Sequence, residues 1–248
     1  MPTPVRVTSG GHRLHTLLRW GLYLTALTPL VASDRFIYPT VFPKTVAFRL
    51  LVEALAVGYG LWLLRQPKRW PGLTLVTGAL LAQLGVLTLA GGFGVNPYAS
   101  FAGTLARSDG VVTLAHLVAF ALIARGVLRT PADWQPLLQL SVAVFAVGNL
   151  FGLGQWLHLP GVDTFGQLRP SGTLGNPGYF ASWLIFGITI PLALAAARPA
   201  SRMRLAYLAV AAASAVNLVA TQARAPQFAA LAAGLRLGRA LARPARPP

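Results

Sequence analysis

Three arginines stand where a phosphate could be gripped. Arg169 opens the stretch Arg169-Pro170-Ser171-Gly172-Thr173-Leu174-Gly175-Asn176-Pro177. Arg224 follows Thr221-Gln222-Ala223 and precedes Ala225-Pro226. Arg107 precedes Ser108-Asp109-Gly110, downstream of Asn96-Pro97-Tyr98-Ala99-Ser100-Phe101-Ala102-Gly103. Small residues let backbone amides approach a ligand closely. A guanidinium binds phosphate bidentately and stays charged. Three such groups from three loops can therefore converge on one diphosphate. Asn176 before Pro177 reads as an N-cap with proline in the first turn. A helix starting there is expected to aim free N–H groups at an anion. Spacing alone leaves a plainer account open. Each arginine would anchor to lipid headgroups or pair locally, as Arg107 with Asp109, and the Asn-Pro and Gly-Thr elements would be loop chemistry.

Other residues carry weaker signals. Arg49 and Glu53 lie four apart inside an apolar run. Ionisable groups there are functional by default, although an intramembrane salt bridge between them explains both equally well. His116, inside another run, reads as a hydrogen-bonded core histidine, and His158, alone in a Gly/Pro-rich loop, as structural. There is no Walker loop, GxGxxG, HExxH or CxxC. Asp34, Asp109 and Asp163 are too few to suggest a multi-carboxylate metal site. Neither a metal nor any other cofactor is expected.

The elements that must position these residues are apolar helices. Of 248 residues, 55% are hydrophobic and 10% charged, where soluble domains carry about 25% charged residues. Mean hydropathy is +0.60. The net charge of +16 would suit nucleic acid, but the bases sit in short clusters between long apolar runs, the pattern of a multi-span membrane protein. No nucleic-acid partner is expected. With no cysteine, disulfides and thiolate metal sites are excluded. The first apolar run lacks a cleavage site and reads as an anchor. Eight segments approach the span length of about 20 residues: 17–33, 45–64, 71–91, 110–128, 136–154, 177–197, 205–222 and 226–242. The expected fold is an all-α polytopic transmembrane bundle, since lipid requires internally satisfied backbone. It is expected to form one domain over 1–242, followed by a disordered Arg/Pro tail at 243–248. Most cations fall on one side of these segments, among them Arg65, Lys68 and Arg69, then Arg125 and Arg129, then Arg198, Arg202 and Arg204. The positive-inside rule then puts both termini in the cytoplasm. Arg236 and Arg239 interrupt the eighth segment, at about 2.5 kcal/mol or more each if held at mid-membrane.

These motifs resemble the O-antigen ligase and O-antigen polymerase superfamily of bacterial membrane proteins. Phe101-Ala102-Gly103 with Arg107-Ser108-Asp109-Gly110 is similar to its F-W-G…R-x-D-G element. Arg169 through Pro177 is similar to R-x-x-G-T-x-G-N-P, and Thr221 through Ala225 to T-x-S-R-G-A. The resemblance spans roughly residues 20–235. It implies transfer of a glycan from a polyprenyl diphosphate carrier to an acceptor on the periplasmic side of the inner membrane, without metal or nucleotide. It implies that Arg169, Arg224 and Arg107 bind the diphosphate. Asp109, Gly172, Thr173, Asn176 and Pro177 would order their loops. Lipid-linked glycan and membrane lipids are the implied partners. Ala102 stands where the family has tryptophan, and Ala223 and Ala225 where it has serine and glycine. The family's large periplasmic loop, with the histidine that activates the acceptor, has no counterpart in these residues. A truncated or frameshifted ligase-like chain is therefore expected. The alternative is a non-catalytic membrane protein that binds lipid-linked glycan or a partner subunit. A transporter is disfavoured by the scarcity of ionisable residues in the spans.

Overall fold

The computed structural model describes residues 9–104, 108–198 and 200–241. The described residues form helices and no strand: α1 (Ser9–Thr25), α2 (Phe42–Arg65), α3 (Leu75–Gly92), the short α4 (Pro97–Ala102), α5 (Val111–Val127), α6 (Pro131–Trp156), α7 (Pro177–Ala197), α8 (Met203–Ala220) and α9 (Arg224–Leu241). This is a helical membrane bundle, as the apolar runs require.

Five helices, α2, α3, α6, α7 and α8, are long and apolar enough to cross a membrane. Eight spans are therefore more than length and composition support. The physical reasons differ. α5 is apolar but has 17 residues. α1 and α9 form over the first and last expected segments, yet α1 includes Arg13 and Arg19, and α9 includes Arg224, Arg236 and Arg239. Each charge adds a desolvation cost that a few apolar turns do not offset. The Arg/Pro stretch 243–248 lies outside the described residues.

Helix starts follow local chemistry. Thr74 and Thr77 form a reciprocal capping box at α3. The Asn96 side chain accepts from Ala99 N–H at 3.0 Å to cap α4, and Pro97 and Pro177 take first-turn positions where a missing N–H is harmless. Pro136 and Pro191 lie inside α6 and α7. Such interior prolines are tolerated where neighbouring elements satisfy the freed backbone.

The chain divides into two compact units, Met1–Leu137 and Leu138–Pro248, with the boundary inside α6. In the first, α1 packs against α2 through close approaches at glycine. A Cβ on Gly21 would lie 2.7 Å from Leu55, and one on Gly58 would lie 3.2 Å from Leu18. The rising and falling numbers make α1 and α2 antiparallel. α2 and α5 run parallel, with Arg49 beside Thr113, Glu53 beside His116, and Tyr59 against Gly126. In the second unit, Trp183 covers Gly148, and Phe180 and Asn217 cover Gly152. This Gly-xxx-Gly spacing lets helices approach where lipid supplies no hydrophobic drive. Buried amides add polar glue: Asn149 Nδ2 donates to Ser214 Oγ at 2.8 Å, and Asn217 Nδ2 donates to Asn149 Oδ1 at 3.0 Å.

Candidate functional site

The second unit builds its candidate site from the end of α6 outward. Gln155 is buried there at 4% exposure. Its Oε1 accepts from Ser171 N–H at 2.9 Å and Gly172 N–H at 2.8 Å. Its Nε2 donates to Asp163 O at 2.7 Å and Gly172 O at 3.3 Å. One amide thus clamps both strands of the loop that follows α6. The sequence reading missed it. The available signal was an amide at the end of an apolar run, Gly154-Gln155-Trp156.

The clamped loop makes a 3-10 turn at Gly172–Leu174 before α7. Gly172 has φ +55°, and a Cβ there would lie 2.5 Å from Phe180, so side-chain absence is needed for both backbone and space. Gly175 follows at φ +70°. Thr173 is buried. The Asn176 side chain accepts from Gly178 N–H at 2.8 Å and Tyr179 N–H at 3.2 Å. Asn176 is thus the expected N-cap and Pro177 the expected first-turn proline. The expected free N–H groups are absent, which corrects the reading of this terminus as an anion site. Pro177 has no N–H, Gly178 and Tyr179 donate to the cap, and Phe180 N–H donates to Asn176 O at 2.9 Å.

Arg169 reaches the turn between α8 and α9, at whose end Arg224 begins α9. Arg169 Nη1 donates to Thr221 O at 3.3 Å, three residues before Arg224 begins α9. Thr221 is buried, and its Oγ1 donates to Leu218 O at 2.7 Å, which fixes the turn. Both arginines are exposed. Among the described residues neither forms an ion pair. Asp163 in the same loop accepts Phe165 N–H at Oδ1, 2.7 Å, and His158 is exposed at φ +52°. The turn therefore offers two uncompensated guanidiniums.

In the first unit, Arg107 lies outside the described residues, and its expected pairing with Asp109 with it. Asp109 is exposed. The loop around it is ordered by backbone approach and by Arg49. A Cβ on Gly110 would lie 2.2 Å from Phe101 O, and Gly103 sits at φ +75° against the Asp109 and Gly110 amides. Arg49 Nη2 donates to Ser108 O at 3.4 Å and to Thr113 Oγ1. The expected Arg49–Glu53 ion pair is not formed, which is a second correction. Glu53 Oε1 instead contacts His116 Nε2 at 3.1 Å, and His116 Nδ1 contacts Val112 O at 2.7 Å. The parallel packing of α2 on α5 brings these partners closer than the helical neighbour. Arg49 Nε is buried without a partner. His116 is the hydrogen-bonded histidine its position suggested.

Among the described residues no group of three or more His, Cys, Asp or Glu can hold a metal ion. No protein-family model, curated protein or solved structure matches the chain.

Proposed function

We propose that the chain is a membrane glycan transferase of the O-antigen ligase type, moving a glycan from a polyprenyl diphosphate carrier to an acceptor at the periplasmic face of a bacterial inner membrane. The observation that carries this reading is the Arg169–Thr221 hydrogen bond. It joins two sequence elements 52 residues apart at one turn and leaves Arg169 and Arg224 exposed there. Two unneutralised guanidiniums suit a diphosphate, and preorganised cations stabilise the charge that grows on a departing diphosphate. The marginal helices α1, α5 and α9 cross the membrane with the other five, and the cation bias holds both termini in the cytoplasm. Reporter fusions after Asp109 and after Gly172 should then both report the outer side.

The binding test uses the purified chain and a polyprenyl diphosphate sugar. Arg169→Ala and Arg224→Ala should each weaken capture by about 10- to 100-fold, the range of one charged hydrogen bond. Lysine at either position should restore part of the loss, because charge survives without the fork. Unchanged binding in both alanine variants removes the site.

A second reading is a binder of lipid-linked glycan that does not turn it over. One observation favours it: the Asp163 Oδ1 is occupied by Phe165 N–H, and no imidazole or carboxylate bonds Arg169 among the described residues. Positioned proton transfer is worth about 10²–10⁴-fold in rate. Glycan release measured beside capture separates the two readings.

A further inference from the structure

Within the first unit, a cleft of about 630 Å³ opens between the start of α3 and the end of α5. Arg125 and Arg129 line it together with Trp70, Trp134, Val76 and Leu80. Arg125 lies in the last turn of α5 and Arg129 just beyond its end, so the cleft gathers two like charges. Their surroundings do not neutralise them. The nearest acid, Asp133, accepts at Oδ2 from the Arg129 and Thr130 N–H groups and from the Thr130 hydroxyl, and its Oδ1 pairs with Arg19 at 3.5 Å. Arg125 is exposed and has no hydrogen bond or ion pair among the described residues. Arg129 is held in place instead: its Nε donates to Gly126 O at 3.1 Å and its Nη2 to Trp70 O at 3.4 Å.

The remaining walls indicate which kind of anion fits. Trp134 is fixed by donating its Nε1–H to Leu128 O at 2.9 Å. Trp70 is 66% exposed beside it. Indole rings with one polar edge settle at headgroup depth. Val76 on α3 is 68% exposed. With Leu80 it gives the cleft an apolar wall. A small hydrophilic anion would use only the charged end. A diacyl phosphate uses both ends. Basic pockets between membrane helices hold acidic headgroups for this reason.

We propose that this cleft binds an anionic phospholipid, with its phosphodiester between Arg125 and Arg129 and an acyl chain along Val76 and Leu80. The inference rests on the chain being a membrane protein and stands apart from the diphosphate reading, which concerns the other unit.

The test is made on the full chain in detergent after delipidation. Native mass spectrometry reads bound lipid while phosphatidylglycerol or phosphatidylcholine is titrated in. Phosphatidylglycerol should bind saturably and phosphatidylcholine should not. Arg125→Gln should weaken phosphatidylglycerol about fivefold, and Arg125→Gln/Arg129→Gln about 25-fold, from the usual worth of one cation near an acidic headgroup. Arg125 has no hydrogen bond or ion pair among the described residues, so that single variant keeps the fold, whereas Arg129 also holds two carbonyls. Arg65→Gln/Arg202→Gln removes the same charge outside the cleft and should leave binding intact. Equal binding of the two lipids overturns the proposal. So does an Arg125→Gln chain that binds as before, or a control pair that weakens binding as much. Competition by inorganic phosphate at millimolar concentration would assign the cleft to a free anion and overturn the lipid.

Discussion

Replacing Gln155 with methionine tests how the candidate site is held. Methionine is close to glutamine in length and volume, so little cavity opens. What disappears is the amide that accepts from Ser171 and Gly172 N–H and donates to Asp163 and Gly172 carbonyls. Ser171 and Gly172 are buried, so both N–H groups lose their acceptor away from water. Each unsatisfied buried group costs about 1–3 kcal/mol, which gives about 2–6 kcal/mol for the pair. The loop need not bear all of it. If the turn at Gly172–Leu174 opens for less, the cost is limited to the free energy of that opening. The two routes differ in readout. Unfolding titrations in mixed micelles report the global loss, and hydrogen exchange at residues 171–174 reports the local one. Either stability falls by at least about 2 kcal/mol, or those amides lose their protection. In the second case Arg169 also leaves Thr221, and diphosphate capture falls with it. A loss under about 0.5 kcal/mol with protection unchanged would refute the clamp, since that is the scatter of an ordinary surface substitution.

Further outcomes follow from individual contacts. Gly161→Ala places a Cβ at φ +81° in open space and should cost about 1–2 kcal/mol from backbone strain alone. Gly172→Ala adds the contact with Phe180 at 2.5 Å and should cost about 1–3 kcal/mol more, read by the same unfolding titration. A double-mutant cycle between Glu53 and His116 should show coupling, whereas a cycle between Arg49 and Glu53 should stay within about 0.5 kcal/mol of additivity. The reverse result would restore the helical ion pair.

Local signals were legible in the sequence, and distant ones were not. The cap at Asn176 depends on residues two and three positions ahead, and it forms as read. Each of the expected apolar segments overlaps a helix, because burying an unpaired backbone in lipid is costlier than any propensity, but α1 ends at Thr25 and leaves 26–33 of the first segment outside it. Their fitness to span was harder to read, since it turns on charges near the ends of α1 and α9. The role of Gln155 was hard to read because its partners lie 8, 16 and 17 residues away. The i, i+4 spacing of Arg49 and Glu53 favoured a local bond, but α5 brought Thr113 and His116 to them from 64 and 63 residues along the chain. One expectation was inconsistent in itself. If Asn176 caps α7, its side chain occupies the amides that an anion would have used.

That inconsistency clarifies what each residue between Arg169 and Pro177 does. Gly172 and Gly175 adopt positive φ, Asn176 caps α7, Pro177 starts it, and the Ser171 and Gly172 amides are held by Gln155. Each of these features is accounted for by chain geometry alone. Arg169 is different. It is exposed, carries a full charge, and makes one 3.3 Å bond to a carbonyl that a neutral donor could equally make. A surface cation normally finds a carboxylate or open water, and Arg169 has no carboxylate partner among the described residues. Structure explains the loop and leaves its charge unexplained. On the proposed function the charge is the part that serves the ligand, and Arg169→Gln, which keeps a donor for Thr221 O, separates the two roles. Loop protection should persist in that variant while diphosphate capture falls. If capture persists as well, the guanidinium serves the fold after all.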